Sequence, residues 1–277
     1  MNIVLVGCGK FGSTIARLLS EDGHNLTIIE SDRHNLDKLG KLKTARTICG
    51  NASDFDVLES ANVASADICI TCTASDETNL LVSHLSKQMG ATYTIARLRD
   101  LVPGTEAYDF IKKEMQIDLI VSPEYQTAQD TFKFLTGKQI KTAMLLGATR
   151  IAIHLSQMLL SANVRVTVID RDEDRCNNLC DIVPSGIVII NDKETDKEIL
   201  LQSGITETDA LVSLTPMDEE NILTSLFAME CKVPNIITKI DKANYTDIVH
   251  NLNLENVVAP RTSTSKTIIE CVRRLAK

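Results

Sequence analysis

The chain has 277 residues, room for two domains of ordinary size. Its 29 Lys and Arg stand against 37 Asp and Glu, a net charge of −8, which argues against nucleic acid as a partner because phosphate-backbone affinity needs clustered cations. Hydrophobic residues make up 44% and charged residues 24%, as in an ordinary globule, and no apolar run approaches the roughly 20 residues that span a bilayer.

The N-terminus, Met1-Asn2-Ile3-Val4-Leu5-Val6, runs straight into a glycine turn, without the basic region and cleavage site of a signal peptide. Eight cysteines in a chain this long do not make a disulfide scaffold, so the expected compartment is a reducing cytoplasm. Short apolar runs rich in Ile, Val and Thr predict strands at 3–6, 26–29, 47–49, 68–72, 94–98 and 119–121. Helical spacing between them predicts helices at 12–20, 33–41, 54–61 and 77–89. This alternation means βαβ units and a doubly wound sheet.

The second half repeats the order, with strands predicted at 144–146, 166–169, 187–190, 210–214 and 236–240. Residues 66–79 align with 208–221, Ser53-Asp54 with Thr195-Asp196, and Ser122-Pro123-Glu124 with Ala259-Pro260-Arg261. A period this long is a duplicated domain rather than a solenoid. The expected fold class is α/β, with two tandem Rossmann-like doubly wound parallel sheets over residues 1–136 and 140–277. The joint at 136–139 is too short for a flexible spacer, so the copies are expected to pack closely.

Gly7-Cys8-Gly9-Lys10-Phe11-Gly12 is a full G-x-G-x-x-G between a predicted strand and a predicted helix, the context in which the motif carries weight. Gly7 permits the tight turn. Gly9 lets backbone approach a pyrophosphate, and Gly12 lets the helix pack on the strand. The helix N-terminus supplies free N–H groups and partial positive charge for phosphates. Glu30, 23 residues after Gly7, ends the second strand, where a carboxylate accepts ribose hydroxyls and repels a 2′-phosphate, favouring NAD over NADP.

Further candidates lie at the carboxyl ends of the other predicted strands, where ligands bind in open α/β sheets. Asn51 and Ala52 follow the third strand and suit an adenine edge, while Ser53 or Asp54 suits a helix N-cap. Thr73 and Ala74 follow the fourth strand; their small side chains fit either a ligand's edge or a plain turn. Arg97, late in the fifth strand, calls for an anion, either phosphate or a structural carboxylate. Lys10 in the glycine loop is either a phosphate contact or a solvated lysine.

The second copy's turn reads Gly147-Ala148-Thr149-Arg150-Ile151-Ala152. Thr149 puts a branched side chain where backbone meets pyrophosphate, although Asp170 keeps the acidic ribose position. A pseudo-repeat, a mononucleotide site and a dinucleotide site remain open there. Cys69 and Cys72 fall in one predicted strand with side chains on opposite faces, the pattern of buried structural thiols. Cys176 and Cys180 are spaced to share a helix face, but no metal-ligand pattern accompanies them, nor does any protease or hydrolase motif. Both halves are nucleotide-domain shaped, which leaves no lobe for an oxidisable substrate and points to a sensor. A small NAD-dependent oxidoreductase is the alternative.

Residues 3–12, Gly50-Asn51-Ala52-Ser53-Asp54, Asp76-Glu77-Thr78-Asn79 and Thr94-Ile95-Ala96-Arg97-Leu98-Arg99 together resemble the TrkA type of RCK (KTN) domain. Residues 117–124 resemble the segment leading into that family's crossover helix, and the second half matches through Thr215, Asp218-Glu219, Asn221 and Ala259-Pro260-Arg261. The resemblance implies a cytoplasmic subunit, peripheral at the inner face of the cell membrane. It would bind NAD(H), with ATP or ADP as further ligands, form a homo-oligomeric ring on a TrkH-like potassium channel, and gate transport without catalysing a reaction. The ligand positions it implies are Gly7, Cys8, Gly9, Lys10, Phe11, Glu30, Asn51, Ala52, Thr73, Ala74 and Arg97, with weaker counterparts at Gly147, Asp170, Thr215 and Lys239. Two-copy family members follow each nucleotide half with a small C-terminal lobe; here the second strand set begins almost at once, and neither lobe is expected.

Overall fold

A computed structural model describes the chain apart from residues 100, 184, 243, 244, 246–248, 250 and 255 and the side chains of 262 and 263. It contains two compact units, Met1–Pro123 with Arg261–Lys277, and Glu124–Pro260.

In the first unit the strands are β1 (Asn2–Val6), β2 (Asn25–Glu30), β3 (Ala45–Cys49), β4 (Ile68–Thr71), β5 (Tyr93–Arg97) and β6 (Leu119–Val121). They form one parallel sheet in the order β3-β2-β1-β4-β5-β6, so the strand order reverses between β1 and β4. Ligands of open α/β sheets bind at that reversal, beyond the carboxyl ends. The helices are α1 (Lys10–Glu21), α2 (Arg33–Leu39), α3 (Phe55–Ser60), α4 (Asp76–Met89) and α5 (Glu106–Glu114).

The strand alternation sorts β1 cleanly. Ile3 and Leu5 enter the core on the α1 side, and Val4 and Val6 enter the core on the opposite side. Helix α1 buries Phe11, Ile15, Ala16 and Leu19 along one stripe, the spacing of an amphipathic helix. Helix α5 was not expected from the sequence. It is short, and its Tyr108 and Ile111 are only half-buried; Thr105 caps it through the Tyr108 N–H, and acids at its start and lysines at its end favour its macrodipole.

The second unit repeats the plan with β7 (Thr142–Leu146), β8 (Arg165–Asp170), β9 (Ile187–Asn191), β10 (Ala210–Ser213), β11 (Asn235–Lys239) and a short β12 (Val257–Val258). The order β12-β11-β10-β7-β8-β9 is the first sheet's order read from the other edge, again all parallel. Its helices are α6 (Pro123–Thr136), α7 (Arg150–Ser161), α8 (Glu173–Ile182), α9 (Lys197–Gln202) and α10 (Asp218–Glu230). Both halves are thus Rossmann-like parallel sheets, as the sequence implied.

The helix that closes each unit comes from the other half of the sequence. Helix α6 packs in the second unit, where Ala128 and Leu135 join Leu145, Ile151 and Leu155. The last helix, α11 (Pro260–Leu275), packs in the first unit, where Ile268, Ile269, Cys271 and Val272 join Leu5 and Ile15. Arg273 seals it with two bonds to Asp22, at 2.7 and 2.8 Å. The driving force is burial of α11's apolar stripe. Linear boundaries at 136 and 140 follow the repeat, and these helices exchange across it. Among the described residues, no helix is long and apolar enough to cross a membrane.

Candidate functional site

A cleft of about 340 Å³ opens at the carboxyl end of the first sheet, at the β1–β4 reversal. Four loops line it: Gly7 and Gly9 after β1, Glu30, Ser31 and Asn35 around the end of β2, Gly50, Asn51 and Ala52 after β3, and Thr73, Ala74, Ser75 and Thr78 after β4.

The three glycines of the turn have different causes. Gly7 adopts φ +94°, and a Cβ there would stand 2.9 Å from the Thr73 amide nitrogen. A Cβ on Gly12 would stand 1.9 Å from the Gly7 carbonyl oxygen, so that glycine sets how closely α1 approaches the strand. Gly9 is unlike both. Its φ of −64° suits any residue, and a Cβ there would meet no protein atom within 4 Å. The fold does not require a glycine at position 9; a molecule lying in the cleft would. Gly9 is also the N-cap of α1, and it leaves the first-turn amides without a side-chain cap, while that turn carries no acid to offset its partial positive charge.

Glu30 faces the turn across the cleft. One carboxylate oxygen accepts the Cys8 N–H at 2.5 Å, and the other accepts from the Asp32 N–H at 3.0 Å and the Ser31 hydroxyl at 3.4 Å. A carboxylate offers about four acceptor sites, so capacity remains. Asn51 folds its own loop, its Oδ1 accepting the Ser53 N–H at 3.0 Å, and Ala52 presents a small buried side chain.

Five predicted positions lie off the cleft lining. Cys8 and Phe11 are buried in the core, and burial, with Glu30 beside it, pushes the Cys8 thiol up to about 11. Lys10 is exposed at the start of α1. Gly12 serves packing. Arg97 places its guanidinium 5.4 Å from the Phe11 ring centroid, a cation–π contact on the α1 side of the sheet.

Sequence reasoning missed Ser31, Asn35 and Thr78 as lining residues, and Asn79 as the organiser of the β4 rim. Asn79 Oδ1 accepts the Thr73 N–H and hydroxyl, both at 2.8 Å, and its amide donates to the carbonyls of Thr73 and Arg97 at 3.3 and 2.8 Å. Asn221 does the same in the second unit, bonding Thr215 and the Lys239 carbonyl at 2.9 to 3.0 Å. The signal was available: both asparagines close the aligned 66–79 and 208–221 segments.

The second unit treats its acid differently. Asp170 is fully buried. One of its oxygens accepts the Ala148 N–H at 2.6 Å and Arg175 Nε at 2.9 Å; the other accepts the Asp172 N–H at 2.9 Å and an Arg175 terminal nitrogen at 2.7 Å. All four acceptor sites are used. Burial alone would raise its pKa, but the Arg175 guanidinium and the Asp172 and Ala148 amides outweigh it and hold the carboxyl below its usual value. Gly147 keeps the turn, at φ +99° and with a Cβ contact of 3.0 Å to Thr215 N. Lys239 Nζ reaches Asp241 at 2.7 Å.

The cysteines behave as the strand pattern predicts. Cys69 and Cys72 enter cores on opposite faces of the sheet, and Cys176 is buried while Cys180 is exposed. Among the described residues, no group of three or more His, Cys, Asp or Glu is placed to hold a metal.

The family of TrkA-N domains matches residues 3–123 and again 143–260. The chain belongs to the TrkA-N domain family. Among its relatives, a Trk system potassium uptake protein TrkA homolog of Methanothermobacter thermautotrophicus is 34% identical over 147 residues, covering 53% of this chain and 66% of that protein. The Trk system potassium uptake protein TrkA of Halomonas elongata is 20% identical over 365 aligned positions, covering 99% of this chain and 79% of that protein. This chain therefore spans about two thirds to four fifths of the length of these two relatives. The crystal structure of GsuK bound to ADP superposes with a TM-score of 0.80 at 18% identity over 96% of this chain and 68% of that one. The GsuK channel bound to NAD gives 0.78 at 14% identity over 96% of this chain and 62% of that one. At these identities the superpositions establish a shared fold.

Proposed function

We propose that this TrkA-N chain is a regulatory subunit of a Trk-type potassium uptake system, and that it senses NAD(H), ATP or ADP in the cleft of its first unit. The observation that carries the reading is Gly9, whose missing side chain serves no atom of the protein and opens onto the cleft. In this reading Gly7 and Gly9 pass the pyrophosphate to the free amides at the start of α1, Glu30 accepts the ribose hydroxyls, and Asn51, Ala52, Thr73 and Ala74 border the bases. Cys8, Lys10, Phe11 and Gly12 act through their backbone in the same turn. Arg97 supports the turn from below through Phe11.

Regulation rather than catalysis is supported in two ways. The relatives are named as potassium uptake proteins. Among the lining residues the titratable side chains are Glu30 and Cys72, and burial pushes the Cys72 thiol up to about 12, a poor acid–base group for hydride chemistry. Ligand occupancy then acts by stabilising one arrangement of the chain, and a TrkH-like membrane subunit reads the shift, with the chain working as a homo-oligomer at the cytoplasmic face.

Calorimetric titration of NADH, NAD⁺, ATP and ADP into wild type and Glu30→Ala tests this. Binding to wild type, weakened at least tenfold by the substitution, is expected. No binding by any of the four removes the reading, and oxidation of NADH dependent on a small carbonyl substrate would replace it with the oxidoreductase alternative.

A further inference from the structure

The two sheets share one register, so their clefts can be compared position by position. Glu30 ends β2 opposite Cys49, and Asp170 ends β8 opposite Asn191. Counting from these residues, Ser31 corresponds to Arg171, Asn35 to Arg175, Ala52 to Glu194, and Thr78 to Glu220. The four small or neutral residues all line the first cleft. All four of their counterparts are charged: Arg171 bonds to Glu194 and Glu220, and Arg175 bonds to Asp170.

Arg171 Nε lies 3.1 Å from both Glu194 oxygens, its backbone N–H donates to the same carboxylate at 3.1 Å, and its terminal nitrogen reaches Glu220 at 3.0 Å. Arg175 holds Asp170 with two bonds and approaches Asp172 at 3.3 Å. The Glu194 and Asp170 side chains are 2% and 0% exposed. Charges that deep persist only when paired, and pairs once formed are costly to break from one side.

We infer that an internal ion-pair network occupies the nucleotide cleft of the second unit, with Arg175 taking on Asp170 the place a ribose takes on an acid of this type, so that the chain binds one nucleotide, in the first unit only. This rests on the first unit's cleft being a nucleotide site. Arg171 and Glu194, paired to each other, stand at the positions where Ser31 and Ala52 line the open first cleft. Thr149 stands at the position of Gly9, so the network and the turn exclude a dinucleotide together. The network ties the loops after β8 and β9 to the start of α10, the same three segments a ligand would bridge in the first unit. The second unit therefore holds the ligand-bound arrangement without a ligand, as a fixed partner to a switchable first unit.

The test is the binding stoichiometry of NADH and ADP, measured by calorimetry on three versions of the 277-residue chain. Wild type is expected to take one equivalent and Gly9→Ala none. In the Gly9→Ala background, the set Thr149→Gly, Arg171→Ser, Arg175→Asn, Glu194→Ala and Glu220→Thr copies the first cleft into the second unit and is expected to restore one equivalent. Two equivalents in wild type, or one retained by Gly9→Ala, overturn the inference. So does a grafted protein with native circular dichroism that binds neither ligand. Hydrogen exchange on wild type keeps the inference testable if the graft does not fold. NADH is expected to protect amides 8–13 and leave 148–153 unchanged, and protection of 148–153 overturns it. A wild type that binds nothing, while the graft binds, would remove the first-unit reading and with it the single equivalent, and would support only the blocking of the second unit by its ion pairs.

Discussion

Replacing Gly9 by Ala separates what the fold needs from what a ligand needs. In the free protein the new Cβ enters open space at an ordinary backbone conformation, so the expected cost is the loss of a good N-cap residue, about 1 kcal/mol or less. In the complex the same methyl stands where the pyrophosphate meets the first-turn amides. Losing two charge-assisted N–H bonds, at roughly 1.5–3 kcal/mol each, forfeits about 3 kcal/mol or more, over a hundredfold in affinity. At a ligand concentration of about 100 Kd, wild type gains about 2.7 kcal/mol of stability. For a chain of this length that is roughly 5–10 °C in Tm, whereas the variant at the same concentration keeps about 1 °C. Scanning fluorimetry with and without NADH reads both numbers on one plate. A variant that keeps the full ligand-induced shift, or that melts many degrees lower without ligand, would refute the reasoning.

Gly12→Ala should behave in the opposite way, because its Cβ meets the Gly7 carbonyl at 1.9 Å and backbone cannot step aside cheaply; a loss of about 3 kcal/mol or more is expected in urea unfolding with no ligand present. Asp170 has a folded pKa below its unfolded value, so the stability it adds is fully present above about pH 4 and is lost as the pH falls through the folded value. Asp170→Asn should be several kcal/mol less stable at pH 7, since it strands Arg175, yet lose less on acidification; equal acid slopes for the two proteins would contradict the assignment. Iodoacetamide at pH 8 should label the exposed Cys49 and Cys180 and spare Cys69 and Cys72, whose thiols burial pushes up to about 11 and 12; peptide mass mapping checks this, and rapid labelling of Cys69 in the native state would contradict its packing.

Much of this architecture is written in local pattern. Alternating apolar runs place residues such as Ile3 and Val4 on opposite faces of a strand whatever lies around them, and a glycine turn after such a run forces the chain into a helix start. Duplication multiplies the signal, because each strand of one half predicts its counterpart in the other. Helix α5, only nine residues long with Tyr108 and Ile111 no more than half-buried, escaped notice.

The fate of each acid is another matter. Glu30 and Asp170 end equivalent strands with equivalent chemistry, but Arg175, five residues beyond Asp170, saturates it where Asn35 stands beyond Glu30. What fills the rest of that strand-end region depends on Arg171, Glu194 and Glu220, which span 49 positions and meet only when β8, β9 and α10 pack together. The same holds for the space beside Gly9 and for the helices exchanged between the units. Local sequence fixes which groups a strand end presents; only the folded arrangement decides which of them are already spoken for, because hydrogen-bond capacity is consumed by neighbours in space rather than in sequence.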